Sequence, residues 1–468
     1  MLAGQGKSKK QGALETRKRR SFRILLGIWI AGFLALVVGG AFAVYDVRST
    51  AAAAVVPAPA PVIATPQVVA VADSAPEPTP AGLAAALDAA VANPGLGAFT
   101  GSVTDTATGT VLWSHEPERP MTPASTTKLL TAAAALIALP TDHRITTKVV
   151  SGSRPGEIVL VAGGDPTLTA QPVGQDGFYP GAPRIADLAD QISRSGAAVD
   201  SVLVDIGVYS GDTLAPGWFP EDIGDGFIAP LEPVMLDGGR SNPLEDESSR
   251  SATPALDAGR ALASALGADP ATVAFGSAAP AATPMASVQS APLRDRLGQM
   301  VSRSDNVLAE AIGREVALEA GAGASFSGAT GAVLRTLQGA GFDTTGVTLA
   351  DLSGLSIDNR IPAGLLDSVM AAAAGPDSRE LRPMLDHLPV AGGTGTLADR
   401  YGEVNRAGAG WVRAKTGTLN LVSGLSGYVV DVDGRVLSFA LLSNDRSPGE
   451  ARPALDAVAS VLRECGCR

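Results

Sequence analysis

The sequence predicts an α+β protein: an antiparallel sheet assembled from both ends of a long globular part, helices between those ends, and a β-rich insertion. Three observations predict it. Strand patterns lie near residues 99–113 at one end and at 410–442 at the other, far along the chain. Helical patterns occupy 125–136 and much of the stretch from Pro292 to residue 374. Between 145 and 287 the sequence changes character, with many Gly and Pro and short strand runs. Sheet pieces at both ends with helices between imply that the ends meet in one sheet. A length of 468 residues suits two or three domains.

In chain order, residues 1–23 form a polar basic tail ending Arg17-Lys18-Arg19-Arg20-Ser21-Phe22-Arg23. Ile24–Tyr45 is an uncharged, mostly apolar run of 22 residues, long enough to span a bilayer. Its basic flank belongs on the cytoplasmic side, so the bulk of the chain is expected outside the cell membrane. A cleaved signal peptide, with a site at Ala41-Phe42-Ala43, is the alternative. The run is longer than a usual signal core, which favours a single-pass anchor. Residues 46–80 read as an Ala/Pro-rich linker, semi-extended and unable to build a core.

Order is expected from Ala81. Gly82–Asn93 reads as a helix stopped by Pro94-Gly95. Phe99–Trp113 alternates about Thr108-Gly109 and reads as a hairpin. A helix begins at Pro123, which suits a first turn because no N–H is needed there. Ile145–Val150 and Glu157–Ala162 alternate around Pro155-Gly156, and Ser201–Asp205 is a further short strand. From Pro292, Leu293, Leu297, Met300, Val301, Leu308 and Ile312 draw one apolar helical stripe, with Ser304-Asp305-Asn306 inside it. Helical signals continue through 326–340 and 362–374. Gly410–Leu419 starts the terminal sheet. Leu425–Val432 and Arg435–Leu442 flank Asp433-Gly434, a hairpin signal. Ser447-Pro448-Gly449-Glu450 has the form of a capping box for a last helix. The reading gives one domain from 81–144 and 288–468, with 145–287 inserted.

Composition excludes several classes. The net charge is −11, and the basic residues gather early: 1–46 hold eight Lys/Arg against Glu15 and Asp46. The remaining 28 positive and 45 negative side chains argue against nucleic acid, whose phosphates need a basic face. His115, His143 and His387 lack metal-ligand spacing, and Cys465 and Cys467 form no zinc motif. The expectation is no metal and no cofactor.

The chemistry-bearing stretch is Pro123-Ala124-Ser125-Thr126-Thr127-Lys128-Leu129-Leu130. On a helix, Ser125 and Lys128 share a face and touch. A hydroxyl beside an amine supplies a nucleophile and its base. Beyond the first twenty residues only Lys128, Lys148 and Lys415 are lysines; every other cation is arginine. Arginine holds its proton, whereas a buried lysine releases it readily. Lys128 therefore reads as an amine that is needed as an amine. Two more motifs follow in order, Ser304-Asp305-Asn306 and Lys415-Thr416-Gly417.

This ordered set resembles the signature shared by penicillin-binding proteins and β-lactamases. Asp351-Leu352-Ser353-Gly354-Leu355-Ser356, Leu388-Pro389-Val390-Ala391-Gly392 with Gly395-Thr396-Leu397, and Arg413-Ala414-Lys415-Thr416-Gly417-Thr418-Leu419 narrow the resemblance. They are similar to the S13-type D-alanyl-D-alanine carboxypeptidase/endopeptidase family, low-molecular-mass class C penicillin-binding proteins. The resemblance covers about residues 82–462. That family inserts a domain between its first two motifs, here 179 residues apart. Leu352 departs from the family, which tends to have glycine there.

The resemblance implies a β-lactamase/transpeptidase-like domain, with helices on both faces of the sheet and an all-α region. It implies trimming of D-Ala-D-Ala peptidoglycan stem peptides through an acyl-enzyme on Ser125, DD-endopeptidase cutting of cross-links as an additional reaction, and β-lactam antibiotics as covalent inhibitors. Lys128 would be the base and Ser304 would pass a proton to the leaving amine. Asn306 would orient Lys128 and bind the substrate amide. Lys415, Thr416 and Thr418 would hold the terminal carboxylate, next to Gly417, and the N–H groups of Ser125 and Thr418 would form the oxyanion hole. Asp305 reads as a structural turn or cap. A serine β-lactamase is one alternative, but no Glu-x-x-Leu-Asn lies between the second and third motifs, since Glu380 is followed by Leu-Arg-Pro. A non-catalytic wall scaffold is the other, against which the retained amines speak.

Overall fold

The computed structural model describes residues 75–468. The basic tail (1–23), the apolar run (24–45) and most of the linker lie outside the described residues. Among the described residues no helix is long and apolar enough to cross a membrane.

Along the chain come α1 (Pro80–Val91), the hairpin β1 (Ala98–Asp105) and β2 (Thr110–His115), and α2 (Lys128–Ala138). The middle stretch follows as β3 (Thr146–Ser151), β4 (Glu157–Val161), α3 (Ile185–Arg194), β5 (Ser201–Asp205), α4 (Pro254–Leu266), β6 (Ala274–Phe275) and β7 (Pro284–Gln289). Helices α5 (Leu293–Arg303), α6 (Asn306–Glu319), α7 (Phe326–Gly339) and α8 (Ala363–Ala374) lead to β8 (Arg413–Leu419), β9 (Val422–Val430), β10 (Val436–Asn444) and α9 (Pro448–Glu464).

The main sheet is antiparallel throughout, in the order β8-β9-β10-β1-β2. The N-terminal hairpin joins the C-terminal strands at β1 and β10, where Ala98 faces Asn444 and Asp105 faces Leu437. Alternation on β10 fills both faces. Ala440 and Leu442 enter the core built by α2 and α5–α8, while Leu437, Phe439 and Leu441 pack under α1 and α9. The last helix starts where the sequence suggests, by a different bond. Ser447 Oγ donates to the Glu450 carboxylate at 2.7 Å and caps no backbone N–H.

The middle stretch carries helices as well as its strands. Its sheet, β7-β3-β4-β5-β6, is mixed: β4, β5 and β6 run parallel, while β3 pairs antiparallel with β4 and β7. Parallel neighbours need a crossover, and α3 supplies the one between β4 and β5. Its buried Ile185, Leu188, Ala189 and Ile192 make the helical stripe that the Gly and Pro around it masked. This stretch has its own apolar core, to which α4 contributes Ala255, Ala258 and Leu262.

The apolar run from Pro292 is two helices, not one. Ser304 takes a left-handed conformation, φ 64°, and ends α5. Asp305 then caps α6 by accepting the Leu308 N–H at 2.9 Å. Ser, Asp and Asn are residues that favour such breaks.

Leu352, where the S13 pattern tends to have glycine, is wholly buried and its Cδ1 occupies the space a side chain at Gly313 of α6 would need. The volume missing at one position is used by the other. Alanine at 313 would gain about 1 kcal/mol of helix propensity, but overpacking a closed core costs about 1–3 kcal/mol. Gly313→Ala is therefore expected to destabilise the protein in denaturant unfolding. Adding Leu352→Ala should make the pair less destabilised than the sum of the two single changes.

Candidate active site

The turn Ala124–Thr127 precedes α2 and sets the nucleophile. Ala124 lies at φ 48°, a conformation that L residues rarely hold without support. Thr126 and Thr127 fasten the turn by donating their hydroxyls to Pro123 O at 2.7 Å and Ala124 O at 2.9 Å. Strand β8 lies directly against it. A Cβ at Gly417 would stand 2.6 Å from Pro123 O and 3.2 Å from Ser125 N, so only glycine permits this approach.

Lys128 sits one turn below Ser125 and is completely buried. Its Nζ has three neighbours: Ser125 Oγ at 3.0 Å, Asn306 Oδ1 at 2.7 Å and Ser353 O at 2.6 Å. Two of these are carbonyl oxygens, which can only accept. A neutral amine has two N–H groups and one lone pair. The two carbonyls take the N–H groups, and the lone pair is left facing the Ser125 hydroxyl. Burial lowers the Lys128 pKa to about 8, against the pull of the nearby Asp351, Asp305 and Glu310 charges. Repulsion between the Lys128 and Lys415 amines adds to burial in disfavouring a proton on both at once. Lys415, also fully buried, is held well below the usual lysine range by burial and by the Lys128 charge. Its Nζ donates to Ser304 Oγ and to Thr416 O, both at 2.8 Å.

The predicted residues thus converge. Ser125, Ser304, Asn306, Thr416 and Thr418 line one cleft of about 880 Å³. Lys128 and Lys415 lie beneath its surface, and Gly417 lies where β8 meets the serine turn. Thr416 Oγ1 is 2.7 Å from Thr396 Oγ1. Among the described residues no cluster of three or more His, Cys, Asp or Glu could hold a metal ion.

A shell of partners that sequence reasoning missed holds these groups. Glu310, one turn after Asn306 on α6, accepts the Leu352 and Ser353 N–H groups at 2.9 and 2.7 Å. It thereby fixes the loop whose Ser353 carbonyl receives Lys128. Its other oxygen, Oε2, is buried without a partner. Burial, then the Asp351 charge, push its pKa up to about 7. Only the spacing of four from Asn306 could have signalled it. Asp351 accepts Trp218 Nε1–H at 2.7 Å. Asp305 accepts from Tyr179 Oη at 2.8 Å and Arg240 Nη2 at 3.1 Å. Asn306 Nδ2 donates to Phe227 O at 2.9 Å. Trp218, Tyr179, Arg240 and Phe227 all come from the middle stretch, so that stretch braces both the Ser-Asp-Asn motif and the Asp351 loop. Nothing in a lone Tyr179 or Arg240 marks such a role in sequence.

A hydroxyl with an adjacent buried amine, a second hydroxyl–amine pair opposite, and a strand edge beside them can support acyl transfer through a serine. That is the class the fold and site suggest. The chain matches the D-Ala-D-Ala carboxypeptidase 3 (S13) family over residues 83–246 and 241–465, and it belongs to that family. It is 53% identical over 456 residues to a protein named carboxypeptidase DacB from Mycolicibacterium smegmatis, covering 97% of this chain and 99% of that one. It is 29% identical to a D-alanyl-D-alanine carboxypeptidase from an Actinomadura species, over 81% of this chain and 84% of the relative. Its fold matches the crystal structure of penicillin binding protein 4 from Haemophilus influenzae, with TM-score 0.66 at 22% identity, over 81% of this chain and 97% of that one.

Arg240 and Asp305 are each 1% exposed at their side chains. Breaking a buried pair by removing one partner costs about 3–5 kcal/mol. Arg240→Met is expected to lower unfolding stability by that order. It should also slow Ser125 acylation more than it weakens ligand binding, measured as a kcat-against-KM split.

Proposed function

We propose that the protein is a serine-type D-Ala-D-Ala carboxypeptidase that trims peptidoglycan stem peptides through an acyl-enzyme on Ser125. The observation that carries this is the buried Lys128 amine, whose Nζ stands 3.0 Å from Ser125 Oγ and within hydrogen-bond reach of two carbonyl oxygens, so that once neutral it turns its lone pair to the Ser125 hydroxyl. Family membership and the carboxypeptidase names of the relatives support the substrate class.

The steps follow from the residues. Ser125 Oγ attacks the carbonyl of the penultimate D-Ala as its proton passes to Lys128. The oxyanion is met at the junction of the Ser125 turn and β8, and one such donor is worth about 2.7–4 kcal/mol in studied enzymes. The peptide C–N bond breaks as the proton taken up by Lys128 is passed on through Ser304, beside Lys415, to the leaving amine, which returns Lys128 to its neutral form and leaves Ser304 with its hydroxyl proton. D-Alanine departs, leaving the acyl group on Ser125. Water then attacks the ester, giving up a proton to Lys128, and Ser125 is restored. Asn306 keeps Lys128 in place and meets the substrate amide at the cleft. Thr416 and Thr418 hold the carboxylate end.

A β-lactam offers the same amide in a strained ring and acylates Ser125, and because its leaving group stays tethered the acyl-enzyme persists. A D-amino-acid cross-link presents the same bond, so DD-endopeptidase action belongs to this reading. Residues 24–45 anchor the chain in the cell membrane with the catalytic part outside. The uncharged run of 22 residues behind a basic flank supports this.

Intact-mass spectrometry after incubation with penicillin is expected to show one adduct on the parent and none on Ser125→Ala. Release of D-alanine from a D-Ala-D-Ala peptide should fall on the order of 10³-fold or more in that variant. An adduct that survives Ser125→Ala would overturn the assignment. The acylation rate should depend on pH through Lys128. The amine must be neutral to accept a proton, so the rate is expected to fall tenfold per pH unit below about 8 and to level off above it.

A further inference from the structure

The substrate of this reaction ends in a free carboxylate, and binding it selectively calls for a positive charge that the substrate can reach. Lys415 is the cation on the Lys-Thr-Gly strand, but its side chain is wholly buried. Its donors are already directed to Ser304 Oγ and Thr416 O. Buried and so directed, it offers no donor that a ligand carboxylate can reach from the cleft.

Another cation stands at the end of the same strand. Arg452, near the start of α9, lines the cleft and donates from Nη2 to Thr418 Oγ1 at 3.0 Å. It is exposed, and it forms no ion pair among the described residues. Its neighbour Arg400 also lines the cleft but is held by Asp456, with Arg400 Nε 3.0 Å from Asp456 Oδ2. One guanidinium of the pair is neutralised and the other is left with its charge over the strand edge. Thr416 and Thr418 are two residues apart on β8, so their hydroxyls lie on one face. Ser304, bonded to Lys415, marks where the leaving amine sits. The carboxylate of the leaving residue is two bonds from that amine, and it reaches the Thr416–Thr418 face.

We propose that Arg452 is a specificity-determining residue that binds the free α-carboxylate of the substrate's terminal residue together with Thr418. A guanidinium is the side chain suited to this, because its planar fork meets a carboxylate with two parallel N–H bonds. The Thr418 hydroxyl holds the fork in place before substrate arrives. The inference rests on the carboxypeptidase reading, in which the carboxylate at this point is that of the residue being released.

The test compares two substrates, a peptide ending in D-Ala-D-Ala as the free acid and the same peptide as the C-terminal amide. The kcat/KM ratio, acid over amide, is measured for the parent, Arg452→Ala and Arg452→Lys. Hydrogen bonds to charged groups contribute about 1.5–3 kcal/mol, or roughly 10- to 150-fold. The parent should prefer the acid, Arg452→Ala should reduce that ratio by roughly 10- to 150-fold, and Arg452→Lys should restore part of it. A ratio unchanged in Arg452→Ala, whatever the absolute rates, would overturn the inference, because a merely structural residue lowers both substrates alike. A parent that releases no D-alanine from the acid would instead overturn the carboxypeptidase reading on which it rests.

Discussion

The placement of one amine out of water governs the rest of the structure. Lys128 has no exposed surface, and a buried ammonium is costly unless its surroundings compensate. Here compensation is partial. Two carbonyls and a hydroxyl satisfy its hydrogen bonds, and three carboxylates act on it from a distance, yet burial still wins and brings its proton affinity down. That balance is what a general base near neutral pH requires. More negative charge in contact would hold the proton on, and less would leave the group unsupported.

Each compensating group is supplied by a different segment. Asn306 rides on α6, one residue past the cap Asp305. Ser353 sits in a loop fixed by Glu310 and by Asp351. The middle stretch then reaches both, with Tyr179 and Arg240 on Asp305 and Trp218 on Asp351. The two ends of the described residues meet as well, since Thr79 N donates to Cys467 O at 2.8 Å. The main sheet joins these parts so that β8 and the serine turn meet at Gly417. A nucleophile, its base and the strand edge are thus held by contacts distant in sequence, which is how fixed geometry is kept on a mostly small-residue framework.

Much of this was legible in the sequence, for reasons that differ by element. Ser125 and Lys128 interact locally, so spacing alone revealed them. The scarcity of lysine outside the N-terminal tail drew attention to Lys415. Terminal hairpins with clear turn residues gave the sheet, and their distance apart gave its closure. The break at Ser304 was hidden because the apolar stripe runs through it, although Ser-Asp-Asn favours a cap. The middle stretch read as β-rich because α3 is short and bounded by Gly and Pro. Glu310, Tyr179, Arg240 and Arg452 were not legible, because each acts through a partner brought near only by the fold. Burial is the largest cause that lowers Lys128, and repulsion between the two buried amines further disfavours a second proton on the pair.

The most direct test of the central claim is the titration of Lys128 itself, followed by NMR of the protein labelled at lysine Cε. Few lysines lie outside the N-terminal tail, so Lys128→Met identifies the signal by its loss. A midpoint near 8 is expected for Lys128. A midpoint at the ordinary lysine value of about 10.4 would contradict the account, because an amine that keeps its proton near neutral pH cannot take one from Ser125.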